Sequence, residues 1–291
     1  MSIAGTLRQE AEGLSAPLPP LLAEAEHLAA TVLLGEHGRR RAGLGDEFWQ
    51  YRQAMPGDEA RMIDWRRSGR SDVQFVREKE WQAAQSVMLW VDNAQSMEFS
   101  SAKALPTKGA RARLLALAAA VLLIRGGERV GLTGHALPPR AGTLQLMRLT
   151  DVLAEEGAEA DYGEPEARAM LPHARAIFVS DFMGDIAPVE AALAKAADRN
   201  VKGALLQVLD PEEEAFPYDG RTIFESMGGK VRHETLKAGD LRDRYLQRLA
   251  ERKDRLAQIA RVSGWQYECH HTGDSALSGL LWLYHAVERR I

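Results

Sequence analysis

Three apolar runs in this chain each end on an aspartate. Val87-Met88-Leu89-Trp90-Val91 leads into Asp92, Ala176-Ile177-Phe178-Val179 into Ser180-Asp181, and Ala204 to Leu209 into Asp210. Carboxylates delivered to one place repel each other unless a cation or hydrogen-bond donors answer their charge, and an oxygen-rich set of this kind suits a hard divalent ion such as Mg²⁺. The plainer alternative is that Asp92 and Asp181 brace loops or cap helices, with Ser96 as a further helix cap. A second group, Cys269-His270-His271, offers softer ligands. On a strand its faces alternate, so Cys269 and His271 share one side and His270 takes the other, a poor arrangement for ligation by all three. No Gly-x-Ser-x-Gly elbow, His-Glu-x-x-His pair or Gly-x4-Gly-Lys-Ser/Thr loop occurs. Hydrolysis of ATP by this chain alone is therefore not expected.

The elements that must position these residues follow from periodicity. A run apolar at every position, such as Val87 to Val91, belongs in the middle of a sheet covered on both faces. Strands are expected at Arg129 to Thr133, Ala176 to Val179, Ala204 to Leu209 and Trp265 to His271. Helices are expected from about Pro19, Gly109 to Arg125, Leu144 to Glu155, Pro188 to Asp198, Leu241 to Arg261 and Ser275 to Arg289. Strand and helix alternate, which predicts an α/β fold with a doubly wound, mostly parallel sheet. Between Gly38 and Arg77, glycines, arginines and acids interleave without clear periodicity, so loops and short strands are expected there. Thr222 to Glu225 and Val231 to Glu234 flank Gly228-Gly229 as a hairpin would.

The exit of the first strand, Asp92-Asn93-Ala94-Gln95-Ser96, resembles the Asp-x-Ser-x-Ser loop of the metal-ion-dependent adhesion site in von Willebrand A domains. The resemblance implies a metal held by Asp92, Ser96, Thr143 from a later loop, and Asp181 from the next strand exit. Ala94 stands where the first serine would be and offers no oxygen, so Mg²⁺ or another divalent cation would bind more weakly, with water filling the gap.

A longer resemblance lies upstream. Gly38-Arg39-Arg40, Gly43-Leu44-Gly45-Asp46-Glu47-Phe48, Tyr51-Arg52, Pro56-Gly57-Asp58-Glu59, Arg61-Met62-Ile63-Asp64-Trp65-Arg66 and Glu78 together resemble the signature of domain-of-unknown-function family fifty-eight. That family carries a von Willebrand A-like (Rossmann-like) domain and commonly accompanies MoxR-type AAA+ ATPases. The resemblance implies a non-enzymatic adaptor or scaffold that engages a MoxR-type ATPase or its client through a degenerate adhesion site. A metal-assisted hydrolase using the rim aspartates is the alternative, and it would need a general base beside the ion. The signature blocks themselves combine turns with acids and arginines, and are expected to form a brace in which Phe48, Trp49, Tyr51 and Trp65 fill a small core, or else a protein-binding surface. Three parts are expected: a helical segment over 1–34, a signature elaboration over 35–85 packed on the sheet, and the von Willebrand A-like domain over 86–291.

Composition limits the partners. The 291 residues carry a formal net charge of −4, so no whole-protein field recruits nucleic acid. The single cysteine rules out an internal disulfide and suggests a reducing, cytoplasmic setting. Met1 to Glu12 does not read as a signal peptide, and Leu114 to Ile124 falls short of the ~20 apolar residues of a membrane span.

Overall fold

The computed structural model describes residues 19–32, 39–43, 47–55, 58–59, 63–70, 73–135, 137–155, 157, 160–166, 170–229 and 232–288. The amino-terminal 18 residues and the signature positions Gly38, Leu44, Gly45, Asp46, Pro56, Gly57, Arg61 and Met62 lie outside them.

Helix α1 (Pro20–Ala30) begins with proline in its first turn, where the missing N–H costs nothing. Strands β1 (Arg39–Gly43), β2 (Glu47–Gln53) and β3 (Phe75–Ala83) follow, with the four-residue helix α2 (Trp65–Ser68) between the last two. These strands make a small antiparallel sheet in the order β1-β3-β2 that shares no ladder with the main sheet. Asp64 holds the region together as a brace. It caps α2 by accepting from the Arg67 N–H at 3.0 Å, and it accepts from the Tyr51 hydroxyl at 3.0 Å. The Arg67 guanidinium lies 4.2 Å from the Tyr51 ring centre and 5.1 Å from that of Phe75. Trp65, expected in that small core, is instead 60% exposed.

The main sheet contains β4 (Ser86–Val91), β5 (Arg129–Leu132), β6 (Leu137–Arg140), β7 (Arg175–Ser180), β8 (Lys202–Leu209) and β11 (Gln266–His271), in the order β11-β8-β7-β4-β5-β6. All neighbours run parallel except β6, which returns antiparallel to β5. The chain builds outward from β4 in one direction, then crosses to β7 and builds in the other. A switch point therefore lies at the carboxyl end of β4, where open sheets of this kind collect ligands. A separate hairpin pairs β9 (Thr222–Glu225) with β10 (Arg232–Thr235), close to the bounds read from the glycine turn.

Helices cover both faces: α3 (Lys108–Arg125), α4 (Thr143–Leu153), α5 (Ala187–Asp198), α6 (Pro211–Ala215), α7 (Arg242–Val262) and α8 (Ala276–Glu288). Helix α3 is apolar nearly all round and is buried from Leu114 to Leu123, as such a helix must be. One side meets the sheet, and α1 and α8 cover the other, so Leu22, Ala25 and Ala29 of α1 join the same core. Helix α1 thus packs into the main helical layer. The opposite face is a second core, where Trp90, Phe178 and Trp265 interlock at ring separations of 5.7 and 4.9 Å. Among the described residues no helix is long and apolar enough to cross a membrane.

One buried acid sits far from the rim. Glu128, 3% exposed between α3 and β5, accepts a hydrogen bond from the Gln85 N–H, and burial pushes its carboxyl up to about 7. A carboxyl with a raised folded pKa stabilises the fold most below its unfolded pKa, and that contribution is lost as pH rises through about 7. Glu128→Gln keeps the acceptor and removes the charge. It should leave stability near pH 4 unchanged and raise it at pH 8 by roughly 2 kcal/mol, allowing for solvent screening. Urea denaturation of both proteins at the two pH values measures the difference, and an equal gain at both would show that burial of charge is not the cause.

Candidate functional site

Asp92 follows β4, Asp181 follows β7 and Asp210 follows β8, so the parallel register brings all three to one edge of the sheet. The buried strands leave no freedom for these residues, and all three are buried. What answers their charge differs at each.

Asp92 is satisfied by the protein itself. Its Oδ2 accepts from the Ser180 hydroxyl at 2.6 Å and its Oδ1 from the Ala94 N–H at 2.8 Å. Gly163, on the segment that crosses over the rim, sits so close that a Cβ there would lie 2.2 Å from Oδ1. Burial pushes the Asp92 carboxyl above its usual range, and these hydrogen bonds only partly offset that. Asp210 has the plainer role of a helix cap. It accepts from the Glu212 N–H at 2.9 Å while Glu213 reaches back to the Asp210 N–H at 2.9 Å, a reciprocal capping box that starts α6. It also accepts from the Ser101 N–H at 3.0 Å; although burial works the other way, these bonds hold its carboxyl below the usual range.

Asp181 meets a cation that the sequence reading did not identify. Lys108 is 1% exposed, and its Nζ donates to Asp181 Oδ2 at 2.9 Å and to Glu213 Oε1 at 2.6 Å. It occupies the first position of α3, behind the cap Thr107, where the helix macrodipole disfavours positive charge. Burial also works against the ammonium, yet the two carboxylates outweigh it and push its pKa up, so Lys108 stays charged. The one hint available from sequence was a lysine in a first helical turn, where acids are preferred. Gln207 extends the network below, donating to the Asp181 carbonyl at 2.7 Å and accepting from the Tyr267 hydroxyl at 2.6 Å.

The other expected ligands are not gathered here. Thr143 starts α4 after β6 has carried the chain back along β5, with Leu137 opposite Leu132 and Arg140 opposite Val130. It therefore lies, exposed, toward the amino edge of the sheet, away from Asp92 and Asp181. The reversal follows from β6, an edge strand that contains Pro138 and Pro139, as edge strands tolerate. Residues 160–163 take the place over the rim instead: the Ala160 and Asp161 carbonyls accept from the N–H groups of Gln95 and Ser96. Ser96 does stand at the rim, in the turn Gln95–Glu98, and its Oγ is buried without a hydrogen-bond partner. With Ala94 lacking an oxygen, Thr143 elsewhere, Asp92 saturated and an ammonium on Asp181, the donors do not fit an octahedral Mg²⁺ site.

Beside Lys108 opens a cleft of about 260 Å³. Phe216, Tyr218, Phe224 and Tyr245 form its aromatic wall, with ring centres 4.8–5.5 Å apart. Tyr162 and Met227 at its margin are 44% and 48% exposed. The hairpin β9–β10 supplies Phe224 to this wall and Met227 to its margin, which no strand pattern could have assigned to the rim.

At the far end of the rim the Cys269-His270-His271 face assignment holds. His270 turns to the α3 side and meets Arg111 at 3.0 Å, where burial and that charge push its pKa down to about 4. Cys269 and His271 face the other way, with Glu214.

Among curated proteins, the chain is 28% identical over 249 residues to Uncharacterized protein Rv1480 of Mycobacterium tuberculosis (strain ATCC 25618 / H37Rv), covering 80% of this chain and 77% of that protein. Uncharacterized protein Mb1516 of Mycobacterium bovis matches to the same extent. Among solved structures, the conserved hypothetical protein BatB from Bacteroides thetaiotaomicron is similar with a TM-score of 0.42 and 15% identity, over 69% of this chain and 98% of that one. An aerotolerance-related membrane protein from Bacteroides fragilis NCTC 9343 gives a TM-score of 0.41 and 15% identity, over 70% and 98%. Residues 50–255 match the family described as Protein of unknown function DUF58, and the chain belongs to that family.

Proposed function

We propose that this chain is a non-enzymatic, cytoplasmic binding module of von Willebrand A type, whose carboxyl rim docks a partner protein without a metal ion. The observation that carries the reading is the aromatic cleft beside Lys108, lined at its margin by the exposed Tyr162 and Met227. Exposed apolar groups around an aromatic-lined hollow are characteristic of a protein-binding surface. Lys108 supplies at Asp181 the positive charge that a divalent cation supplies in an adhesion site, so the degenerate loop at Asp92 needs no Mg²⁺. The partner follows from the family resemblance: a MoxR-type AAA+ ATPase or its client. The metal-assisted hydrolase is less well supported, because Asp92 and Asp181 are each engaged by protein donors and neither is free to act as a base.

Substitution on the exposed margin tests this without disturbing the core. Met227→Asp and Tyr162→Ala should each weaken capture of a MoxR-type ATPase by about tenfold, roughly 1.4 kcal/mol. Chelation of divalent ions from the binding module should leave its affinity unchanged. Undiminished capture by both variants would remove the cleft as the interface, and loss on chelation would restore a metal to the site.

A further inference from the structure

We propose that Glu214, Cys269 and His271 form a second, separate site on this chain, one that binds a borderline-soft divalent cation, with zinc the best match. One ligand atom from each residue lies within 4.8 Å of the others. On a tetrahedral zinc, sulfur at about 2.3 Å and nitrogen or oxygen at about 2.0 Å stand roughly 3.3–3.7 Å apart, so side-chain rotation closes the set. The elements that carry it are firm. Cys269 and His271 share one face of β11, whose parallel pairing with β8 runs through to His271 opposite Leu209. Glu214 comes from α6, anchored by its capping box. Adjacent on that helix, Glu213 and Glu214 point at different cations: Glu213 at Lys108, Glu214 at Lys253.

A second observation also indicates a ligand. His271 turns Nε2 toward Glu214 and places Nδ1 3.5 Å from Asp274 Oδ2. A carboxylate on the outer ring nitrogen is the usual partner of a metal-bound histidine, because it fixes the tautomer that leaves the inner nitrogen free to ligate. The same arrangement argues against a cysteine nucleophile. Both ring nitrogens face carboxylates, so neither is placed to take the proton of Cys269. Three protein ligands of the thiolate, imidazole and carboxylate types leave a fourth position for water.

Lys253 competes for this place. Its Nζ pairs with Glu214, and its side chain is 21% exposed. On metal binding, Cys269 releases its thiol proton to solvent, Glu214 exchanges the ammonium for the ion, and Lys253 swings outward on its flexible stem.

The sequence contains one cysteine, so any thiolate-to-metal charge-transfer band reports Cys269. The test is titration of the reduced full chain with Co²⁺ alone, followed by displacement with Zn²⁺. One Co²⁺ per chain with a thiolate band is expected, abolished in Cys269→Ser and His271→Ala. Asp274→Ala should retain the band but weaken binding about 10–100-fold. Lys253→Met, a change near the surface that leaves all three ligands in place, should tighten binding, an effect a purely structural ion pair would not give. Absence of the band from the wild-type protein, one Co²⁺ shared by two chains, or unchanged affinity in Lys253→Met would overturn the proposal. None of these outcomes bears on docking at the cleft, which is read out by partner capture.

Discussion

Replacing Lys108 by methionine is expected to cost the fold about 3–5 kcal/mol, because it leaves Asp181 and Glu213 beside each other with no cation between them. Methionine matches the length of the lysine stem, so packing changes little and the charge carries the effect. The loss should shrink as pH is lowered through the carboxylate range, since protonation removes the uncompensated charge. Adding Asp181→Asn and Glu213→Gln to Lys108→Met should recover most of the stability, as replacing a whole buried ionic group does where breaking it does not. Urea denaturation of the three proteins would measure this, and a loss below about 1 kcal/mol in the single variant would contradict the buried triad. The same residue predicts the response to metal. Mg²⁺ should not stabilise the wild-type protein, and Ala94→Ser should gain no Mg²⁺ affinity while Lys108 is present. A calorimetric Mg²⁺ signal that appears with Ala94→Ser would mean that the lysine yields the site to a metal.

Gly203→Ala should be about as damaging, at roughly 3 kcal/mol or more. A Cβ on Gly203 would lie 1.9 Å from the Ala176 carbonyl oxygen, and both atoms belong to central strands paired in register. Backbone cannot yield as a flexible side chain does, so β7 and β8 would have to part at the strand that delivers Asp181. Gly127→Ala provides the contrast. Its φ of +86° strains any other residue, but nothing lies within 4 Å of the added carbon. That change should cost only the left-handed backbone penalty of about 1–2 kcal/mol. Thermal unfolding of the two variants separates steric clash from backbone strain, and equal losses would show that the β7–β8 pairing is looser than its geometry implies.

How much was legible in the sequence depends on the range of the physics involved. Apolar runs such as Val87 to Val91 and Ala204 to Leu209 mark central strands because their own residues must be covered on both faces, and the aspartates that follow them necessarily reach one edge. The alternation of those runs with helices determined the α/β class and the meeting of Asp92 with Asp181. The apolar run from Ala204 to Leu209 does not include Gly203; β8 starts at Lys202, and only the register with Ala176 reveals that glycine as a requirement of the pairing. Pro138 and Pro139 conceal β6, and without that reversal the family resemblance puts Thr143 at the edge that holds Asp92 and Asp181.

The content of the rim was decided by tertiary structure alone. Lys108 reads in isolation as a solvated charge at the start of a helix, and its partners lie 73 and 105 residues further on. The Glu214, Cys269 and His271 group likewise joins a short helix to a strand more than fifty residues away. Local pattern reports how each segment buries its own apolar atoms. Which distant charge comes to rest against which is set by the packing of layers, and that exists only once the chain has closed on itself.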